Sequence, residues 1–200
     1  MSRLLRVFLK VSSLVVSVLI FCGSSLAQSW NLPVEISPAN TDVRFEVDST
    51  WHMIHGTAGR PRGRAALADP ANPASVMVDL FFPVRELNTE NSRRDTRMRE
   101  VLAESSYPEI EVHLKTLGTG CERLYTSEGT CRAELPGVMK IRGVERPLVL
   151  DCTVERNAGG IQVSGEYTFS WADFGVEDPS IIVARLNKNV RILYTVKLPN

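Results

Sequence analysis

The sequence predicts an all-β protein, and two observations support that prediction. Segments in which every second residue is apolar recur from residue 43 to the end of the chain, as expected for strands with one buried face. Clusters of Gly, Pro, Asn and Asp separate these segments at points where the chain can reverse. Since no amphipathic helices alternate with the strands, the pattern favours an antiparallel sandwich or barrel.

The first 27 residues have the features of a cleaved secretory signal. Basic residues precede an uncharged run, Val11–Phe21, and Ser25-Leu26-Ala27 has the small-x-small form of a signal-peptidase site. An uncleaved membrane anchor is the weaker alternative, because a spanning helix needs about 20 apolar residues. Lipidation at Cys22 is weaker still, because the preceding residue is not small. We therefore expect residues 28–200 to form one mature domain, periplasmic or secreted.

The charge of the mature chain argues against one class of partner. The full chain has 23 basic and 23 acidic residues, and loss of the signal removes three basic residues and no acidic ones, which leaves a net charge of −3. No strongly basic stripe is left to follow a nucleic-acid backbone, so nucleic acid is not an expected partner.

The individual strands follow from the alternation of apolar residues. Residues 28–39 form an irregular lead-in, and Pro61 with Gly63 is assigned to a turn. The predicted apolar strand faces are Val43, Phe45 and Val47; Val76, Val78 and Leu80; Ile110, Val112 and Leu114; Leu135, Met139 and Ile141; Leu148, Leu150 and Val154; Ile161, Val163, Tyr167, Phe169 and Trp171; and Val190, Ile192, Tyr194, Val196 and Leu198.

Residues 91–103 are the exception to this pattern. Asn91 or Ser92 can cap a helix start, and Met98, Val101 and Leu102 form a short apolar stripe beneath a charged face. The sequence therefore predicts one short helix. Its charged face either holds the helix on an edge of the sheet or forms a lid at the mouth of a barrel.

Three cysteines remain in the mature chain. Cys121 and Cys131 bracket a polar stretch, whereas Cys152 shares a face with apolar residues of its strand. We predict a disulfide between Cys121 and Cys131 that closes a hairpin loop, and a buried Cys152 thiol that behaves as a small apolar side chain.

The sequence contains no motif that indicates catalysis. His52 and His55 have neither the spacing of two ligands on one helix face nor that of a pair on one strand face, and they have no Cys or acidic partner at ligand spacing. Acidic pairs such as Glu109 with Glu111 are typical of charged strand surfaces. We expect a non-catalytic protein without a metal ion or a resident cofactor.

Two glycines lie among larger residues on the inward strand faces, Gly137 and Gly165. A missing side chain there either makes room for a ligand or eases a bend in the strand, and both alternatives stay open.

Several segments match the pattern of a known family in order and spacing. Arg94-Asp95-Thr96-Arg97-Met98 followed by Tyr107-Pro108-Glu109-Ile110 is similar to Arg-Asp-x-x-Leu and Tyr-Pro-x-Ile, and the residues from Gly137 to Leu148 are similar to a Gly-x-Leu-x-x-x-Gly-x-x-x-Pro-Val hairpin. Ala172 to Val176 then precede the last strand. Together these segments make the chain resemble the YceI family of lipid-binding or polyisoprenoid-binding periplasmic proteins over roughly residues 36–198.

This resemblance implies an extended, lipocalin-like antiparallel β-barrel of about eight strands, with one short helix near one end. It also implies an apolar tunnel that holds an isoprenoid chain in some members. The function that we expect is therefore a carrier for a long apolar lipid of isoprenoid or quinone type. The inward side chains expected to line the tunnel are Phe45, Leu114, Met139, Ile141, Leu150, Phe169, Trp171, Ile192 and Tyr194.

Four arginines are candidates to bind a polar head group at the mouth of the tunnel: Arg93, Arg94, Arg97 and Arg99. The structural alternative is that Arg94 pairs with Asp95 and anchors the turn. For the whole protein, the alternative function is an envelope interaction module, in which a packed barrel docks on a membrane or respiratory protein through basic loops such as residues 60–64. A homodimer is an alternative assembly, and a metal-dependent hydrolase that uses His52 and His55 is the third hypothesis.

Overall fold

The computed structural model describes residues 32–72, 75–115, 121–125, 127–180 and 185–199, and within them one antiparallel sheet of ten strands. The sheet curls in the manner of a lipocalin-like barrel. The predicted all-β class is confirmed, although the strands number ten instead of about eight. The predicted signal peptide lies outside the described residues. The strands are β1 (Val34–Ile36), β2 (Thr41–Ser49), β3 (Met53–Thr57), β4 (Arg62–Leu67), β5 (Val76–Pro83), β6 (Glu109–Leu114), β7 (Gly129–Ile141), β8 (Val144–Asn157), β9 (Gly160–Ser170) and β10 (Leu186–Leu198).

The order of strands across the sheet is β1-β4-β5-β6-β7-β8-β9-β10-β2-β3, so β1 and β3 form its edges. The alternation of apolar residues does not predict β1, β3 or β4. Strand β1 is only three residues long and lies within the expected lead-in. The prediction of a turn at Gly63 is wrong, since Gly63 lies inside β4. Only glycine fits at this position, because an added Cβ would collide with the carbonyl oxygen of Asp79 on β5. The glycine therefore marks a close approach of two strands.

Strands β7 and β8 form the longest hairpin of the sheet, paired from Gly129 with Arg156 to Ile141 with Val144. Their connection is the predicted turn at Arg142 and Gly143, whose φ angles are 52° and 75°. Positive φ at both central residues is the geometry that a two-residue hairpin turn requires.

The predicted helix is present as α1 (Ser92–Val101), and Asn91 caps it by accepting a hydrogen bond of 3.1 Å from the backbone N–H of Arg94. Val101 is buried, and Met98 and Leu102 pack against the core of the sheet. Short 3-10 helices are formed by Val84–Glu86, Glu122–Tyr125 and Trp171–Phe174. Within the described ranges, none of the helices is long and apolar enough to cross a membrane.

The cysteines are arranged as predicted. A disulfide joins Cys121 to Cys131, with the two Cα atoms 5.5 Å apart. Cys152 is a buried free thiol, and its Sγ donates a hydrogen bond of 3.3 Å to the carbonyl oxygen of Ala133. The bridge ties the 3-10 helix at Glu122–Tyr125 to strand β7.

Candidate functional site

The curled sheet encloses a cavity of about 630 Å³. All ten strands contribute lining residues, because inward side chains alternate with outward ones along each strand. Helix α1 adds Met98 and Val101 to the wall. The volume lies within the range of roughly 300–1,000 Å³ that is usual for small-molecule sites.

The nine side chains expected to line a tunnel all lie in the wall of this cavity. The buried ones are Phe45, Leu114, Met139 and Ile141. The half-buried ones are Leu150, Phe169, Trp171, Ile192 and Tyr194. Alternation in the sequence was sufficient to give the direction of the eight that lie on strands. Trp171 was expected on the same strand face but lies in the 3-10 helix that follows β9. The role of these side chains in binding a ligand stays a prediction.

Part of the wall is a cluster of aromatic rings. Tyr167 and Phe169 stack with their centroids 6.2 Å apart, and Phe169 meets the edge of Phe174 at 5.6 Å. The indole Nε1 of Trp171 donates a hydrogen bond of 3.1 Å to the carbonyl oxygen of Asn187. Because the rings fix one another and the indole is anchored to β10, this side of the cavity is preformed.

The side chain of Tyr194 lies over Gly165, on the strand next to its own. Its hydroxyl group donates a hydrogen bond of 3.2 Å to the carbonyl oxygen of Asp151, and an added Cβ on Gly165 would collide with both groups. An added Cβ on Gly137 would meet the carbonyl oxygen of His113. The alternative in which these glycines make room for a ligand is therefore wrong. Burial raises the pKa of Tyr194, so its hydroxyl stays protonated at neutral pH.

The polar part of the lining is concentrated in two segments. Apart from Thr41 and the tyrosines, the polar lining residues belong to 49–52 and 89–97. Among the described residues no Asp or Glu lines the cavity, and the lining side chains with a permanent charge are Arg93, Arg94 and Arg97. Since both segments include exposed residues, the cavity opens to solvent beside them.

Arg94 and Asp95 both bind Thr89 in the loop before helix α1. The Nε and Nη2 of Arg94 donate hydrogen bonds of 2.7 Å to the hydroxyl and carbonyl oxygens of Thr89. The buried carboxylate of Asp95 accepts hydrogen bonds of 2.9 Å from the Thr89 N–H and 2.5 Å from its hydroxyl. The expected alternative, an Arg94–Asp95 pair, is therefore wrong, although Asp95 does anchor the turn.

Of the other three candidate arginines, Arg93 and Arg97 line the cavity and Arg99 does not. Arg93 is exposed at the cavity opening, and Arg97 lies 3.2 Å from the carboxylate of Glu100. Contrary to expectation, Arg99 does not line the cavity. Its guanidinium donates a hydrogen bond of 3.3 Å to the carbonyl oxygen of Arg85, in a separate surface cleft. The arginines that can meet a ligand in the cavity are therefore those of the first turns of α1.

The two histidines of the metal hypothesis do not converge. His52 lies at the cavity opening, whereas His55 points outward with its Nδ1 3.2 Å from the carboxylate of Glu46. In the part of the chain that the structure describes, no group of three or more His, Cys, Asp or Glu residues is arranged to hold a metal ion. Glu109 and Glu111 contact Arg62 and Lys140, which makes them partners in surface ion pairs.

Many lining residues are absent from the expected set, among them Ile36, Ile54, Ala58, Ala65 and Thr89. The alternation of Ile54, Gly56 and Ala58 is the signal that could have revealed β3. Gly56 hides it, because the ring of Phe45 on β2 occupies the space where a side chain would stand.

Solved structures share this fold. BcnA from Burkholderia cenocepacia has a TM-score of 0.65 at 12% identity, with 78% of this chain and 94% of that chain covered. A polyisoprenoid binding domain from Saccharophagus degradans, implicated in plant cell wall breakdown, has a TM-score of 0.66 at 14% identity, with 84% and 99% covered. The YceI protein of Campylobacter jejuni has a TM-score of 0.57 at 21% identity, with 74% and 85% covered. At these identities the likeness shows the fold alone.

Comparison of sequences identifies the family. None of the curated proteins matches this chain. A family model described as the YceI-like domain matches residues 35–198, which run from β1 to the end of β10. Because that match covers most of the chain, the protein belongs to the family of YceI-like domains.

Proposed function

We propose that this protein binds one long apolar lipid, of isoprenoid or quinone type, in the cavity and carries it without catalysing a reaction. The observation that supports the proposal is the composition of the cavity wall: it is apolar along its length, no carboxylate lines it among the described residues, and arginines lie beside one opening. A hydrocarbon chain fits such a wall, and an anionic head group fits its charged end.

Burial of the chain supplies the binding free energy. Each methylene group that leaves water contributes about 0.8 kcal/mol, so a prenyl chain of many carbons binds tightly without a catalytic or metal-binding group. The aromatic cluster around Phe169 and the preformed wall reduce the ordering that binding would otherwise require.

For a ligand of isoprenoid type, the head group that fits this opening is a phosphate or another anion. Arg93 is exposed at the opening. Arg97 forms an ion pair with Glu100 that is exposed to solvent and therefore weak. Both guanidinium groups can donate hydrogen bonds to an anion. Arg94 already donates to Thr89 and so contributes its charge more than its hydrogen bonds.

Two further observations support the ligand class and the location. One protein of the same fold is described as a polyisoprenoid binding domain, which supports an isoprenoid ligand here. The expected signal sequence and the Cys121–Cys131 disulfide are consistent with an oxidising compartment, the periplasm or the exterior. The competing module with a packed barrel fits less well, because its proposed contact loop has Arg60 paired with Glu86 and Arg62 paired with Glu109.

Substitution of Leu150 by Trp tests the proposal, because Leu150 lines the cavity while Val149, the next residue on β8, points outward and is 50% exposed. We expect wild type and Val149→Trp to bind geranylgeranyl phosphate with a rise in melting temperature, as a ligand of the folded state requires. Leu150→Trp should remain folded and lose the rise. An equal thermal shift for both variants would contradict the proposed site.

A further inference from the structure

The turn between β2 and β3 exposes apolar side chains beside an opening of the cavity. Trp51 is 71% exposed and Met53 is 44% exposed. Ser49, Trp51 and His52 also line the cavity, so this turn forms part of its rim. Large apolar groups are therefore placed in water at a point where a ligand can enter or leave.

Hydrogen bonds hold the turn in this position. The backbone N–H of Thr50 donates to the carbonyl oxygen of Arg185 at 3.0 Å, and the N–H of Arg185 donates to the hydroxyl of Thr50 at 3.0 Å. The hydroxyl of Ser49 donates to the carbonyl oxygen of His52 at 2.6 Å. These hydrogen bonds fix the backbone of the turn to the segment that leads into β10. The exposed side chains of Trp51 and Met53, which form the tip of this hairpin, are therefore held in place.

An exposed Trp next to an exposed Met matches the chemistry of a membrane interface, where an indole ring has an apolar body in the acyl region and a polar edge among the head groups. The charged residues of the cavity opening complement an anionic lipid surface, since Arg93 and Arg97 are both exposed lining residues and no carboxylate is among the described lining residues. The cargo of the proposed function is itself a component of such a surface.

We propose that this rim docks on the surface of an anionic phospholipid bilayer, with Trp51 and Met53 inserted among the head groups. Docking in this way places the cavity opening against lipid, so that a hydrocarbon chain passes between bilayer and cavity without crossing water. The route for the cargo rests on the proposed function, whereas the docking itself does not require a cargo.

The chain offers matched controls for the docking. Met77 on β5 is 41% exposed and Val149 on β8 is 50% exposed, and both lie on outward faces away from the cavity lining. Met53 and Met77 are therefore nearly equal in chemistry and exposure and differ in position. Melting temperatures of all variants show whether each remains folded.

Flotation with vesicles tests the docking directly. Vesicles of phosphatidylglycerol with phosphatidylcholine should carry wild type, Met77→Ser and Val149→Ser upward, and pure phosphatidylcholine should carry less. Trp51→Ser with Met53→Ser should partition roughly tenfold more weakly, because both side chains then lose their transfer from water. Equal partition of this double variant and wild type, or no flotation of wild type, would overturn the proposal. A dimer that Met53→Ser abolishes, without vesicle binding, would assign the tip to a second copy and overturn it too.

A transfer experiment separates this inference from the proposed function. A fluorescent prenyl phosphate is supplied either in donor vesicles or directly from ethanol. Met53→Ser should take up the probe from vesicles roughly fivefold more slowly than Met77→Ser, while uptake from ethanol is equal, because Met53 does not line the cavity. Equal transfer rates for the two variants would overturn the inference. If wild type floats through the tip but takes up the probe by neither route, the docking stands and the proposed function fails.

Discussion

The hydroxyl group of Tyr194 on β10 donates a hydrogen bond of 3.2 Å to the backbone carbonyl oxygen of Asp151 on β8, two strands away in the sheet. The ring reaches across because the intervening strand presents Gly165 at that point, and Tyr194 and Gly165 are cross-strand partners. Gly165 leaves space for the ring of Tyr194, and the hydrogen bond of that ring connects β10 to β8 across β9.

Gly165→Ala should destabilise the protein by about 1–3 kcal/mol, because the new methyl group collides with the Tyr194 ring and the Asp151 carbonyl. Gly159→Ala is the control, since a Cβ at that turn position would have only Asn157 Oδ1 within 4 Å, at 3.2 Å. Urea denaturation of both variants, of Tyr194→Ala and of Gly165→Ala with Tyr194→Ala measures the effect. Additive losses in the double variant would contradict the contact.

Arg93→Gln combined with Arg97→Gln should weaken binding of geranylgeranyl phosphate by tenfold or more, because hydrogen bonds to a charged group contribute about 1.5–3 kcal/mol. Binding of geranylgeraniol, which has no charge, should change little. Arg99→Gln serves as the matched control, since Arg99 is on the same helix and outside the cavity lining. Titration calorimetry distinguishes the outcomes, and an equal loss for the alcohol and the phosphate would refute a head-group role.

The outward face of β5, β6 and β7 should make stability depend on pH. The pKa of His113 is raised above 6.5, first by its hydrogen bond with Asp79, at 2.7 Å, and then by Glu111, which itself pairs with Lys140. The folded state therefore binds the proton more tightly than the unfolded state does. This stabilisation is present below the unfolded pKa of about 6.5 and is lost as pH rises through the raised folded pKa.

We accordingly expect the free energy of unfolding of wild type to fall relative to that of His113→Gln between about pH 5.5 and pH 8.5. The difference should be below about 1 kcal/mol, because water reaches these pairs. Denaturation curves at both pH values provide the test, and parallel behaviour of the two proteins would show that the His113 contacts do not persist in solution.

Cys152 should be unreactive in the folded protein, because burial raises the pKa of its thiol to about 11 and leaves almost no thiolate at neutral pH. Iodoacetamide should add nothing to native protein that comprises residues 28–200, and one group to the same protein in urea, as measured by intact mass. Cys152→Ala should gain no group in either condition while the disulfide is intact. Alkylation of native wild type at the rate of a free thiol would contradict the buried position.

The strands that carry most of the cavity wall were predictable because one face of each is dry, and a dry face leaves a period of two in the sequence. Strands β3 and β4 were not predictable, and a glycine is the physical reason in each. In β3 the ring of Phe45 replaces the side chain missing at Gly56, and in β4 Gly63 is needed for the approach of β5. In both cases glycine serves a neighbouring strand, so a pattern read along one strand does not reveal it.

The site was predictable in its apolar part and less so in its polar part. Eight inward strand residues could be named because direction follows from alternation, whereas the destination of an arginine depends on its partners in space. Arg94 and Asp95 are adjacent in sequence yet meet at Thr89, and Arg99 is turned by the helix toward a different cleft. The identity of these contacts is set by the loop before α1.

Mass spectrometry of an organic extract tests the central claim most directly, on protein purified without detergent from the cells that produce it. We predict one prenyl lipid or quinone per protein, present in wild type and in Val149→Trp and absent from folded Leu150→Trp. A wild-type extract without lipid, together with no rise in melting temperature when prenyl phosphates and quinones are offered, would contradict the account of the cavity as a lipid site.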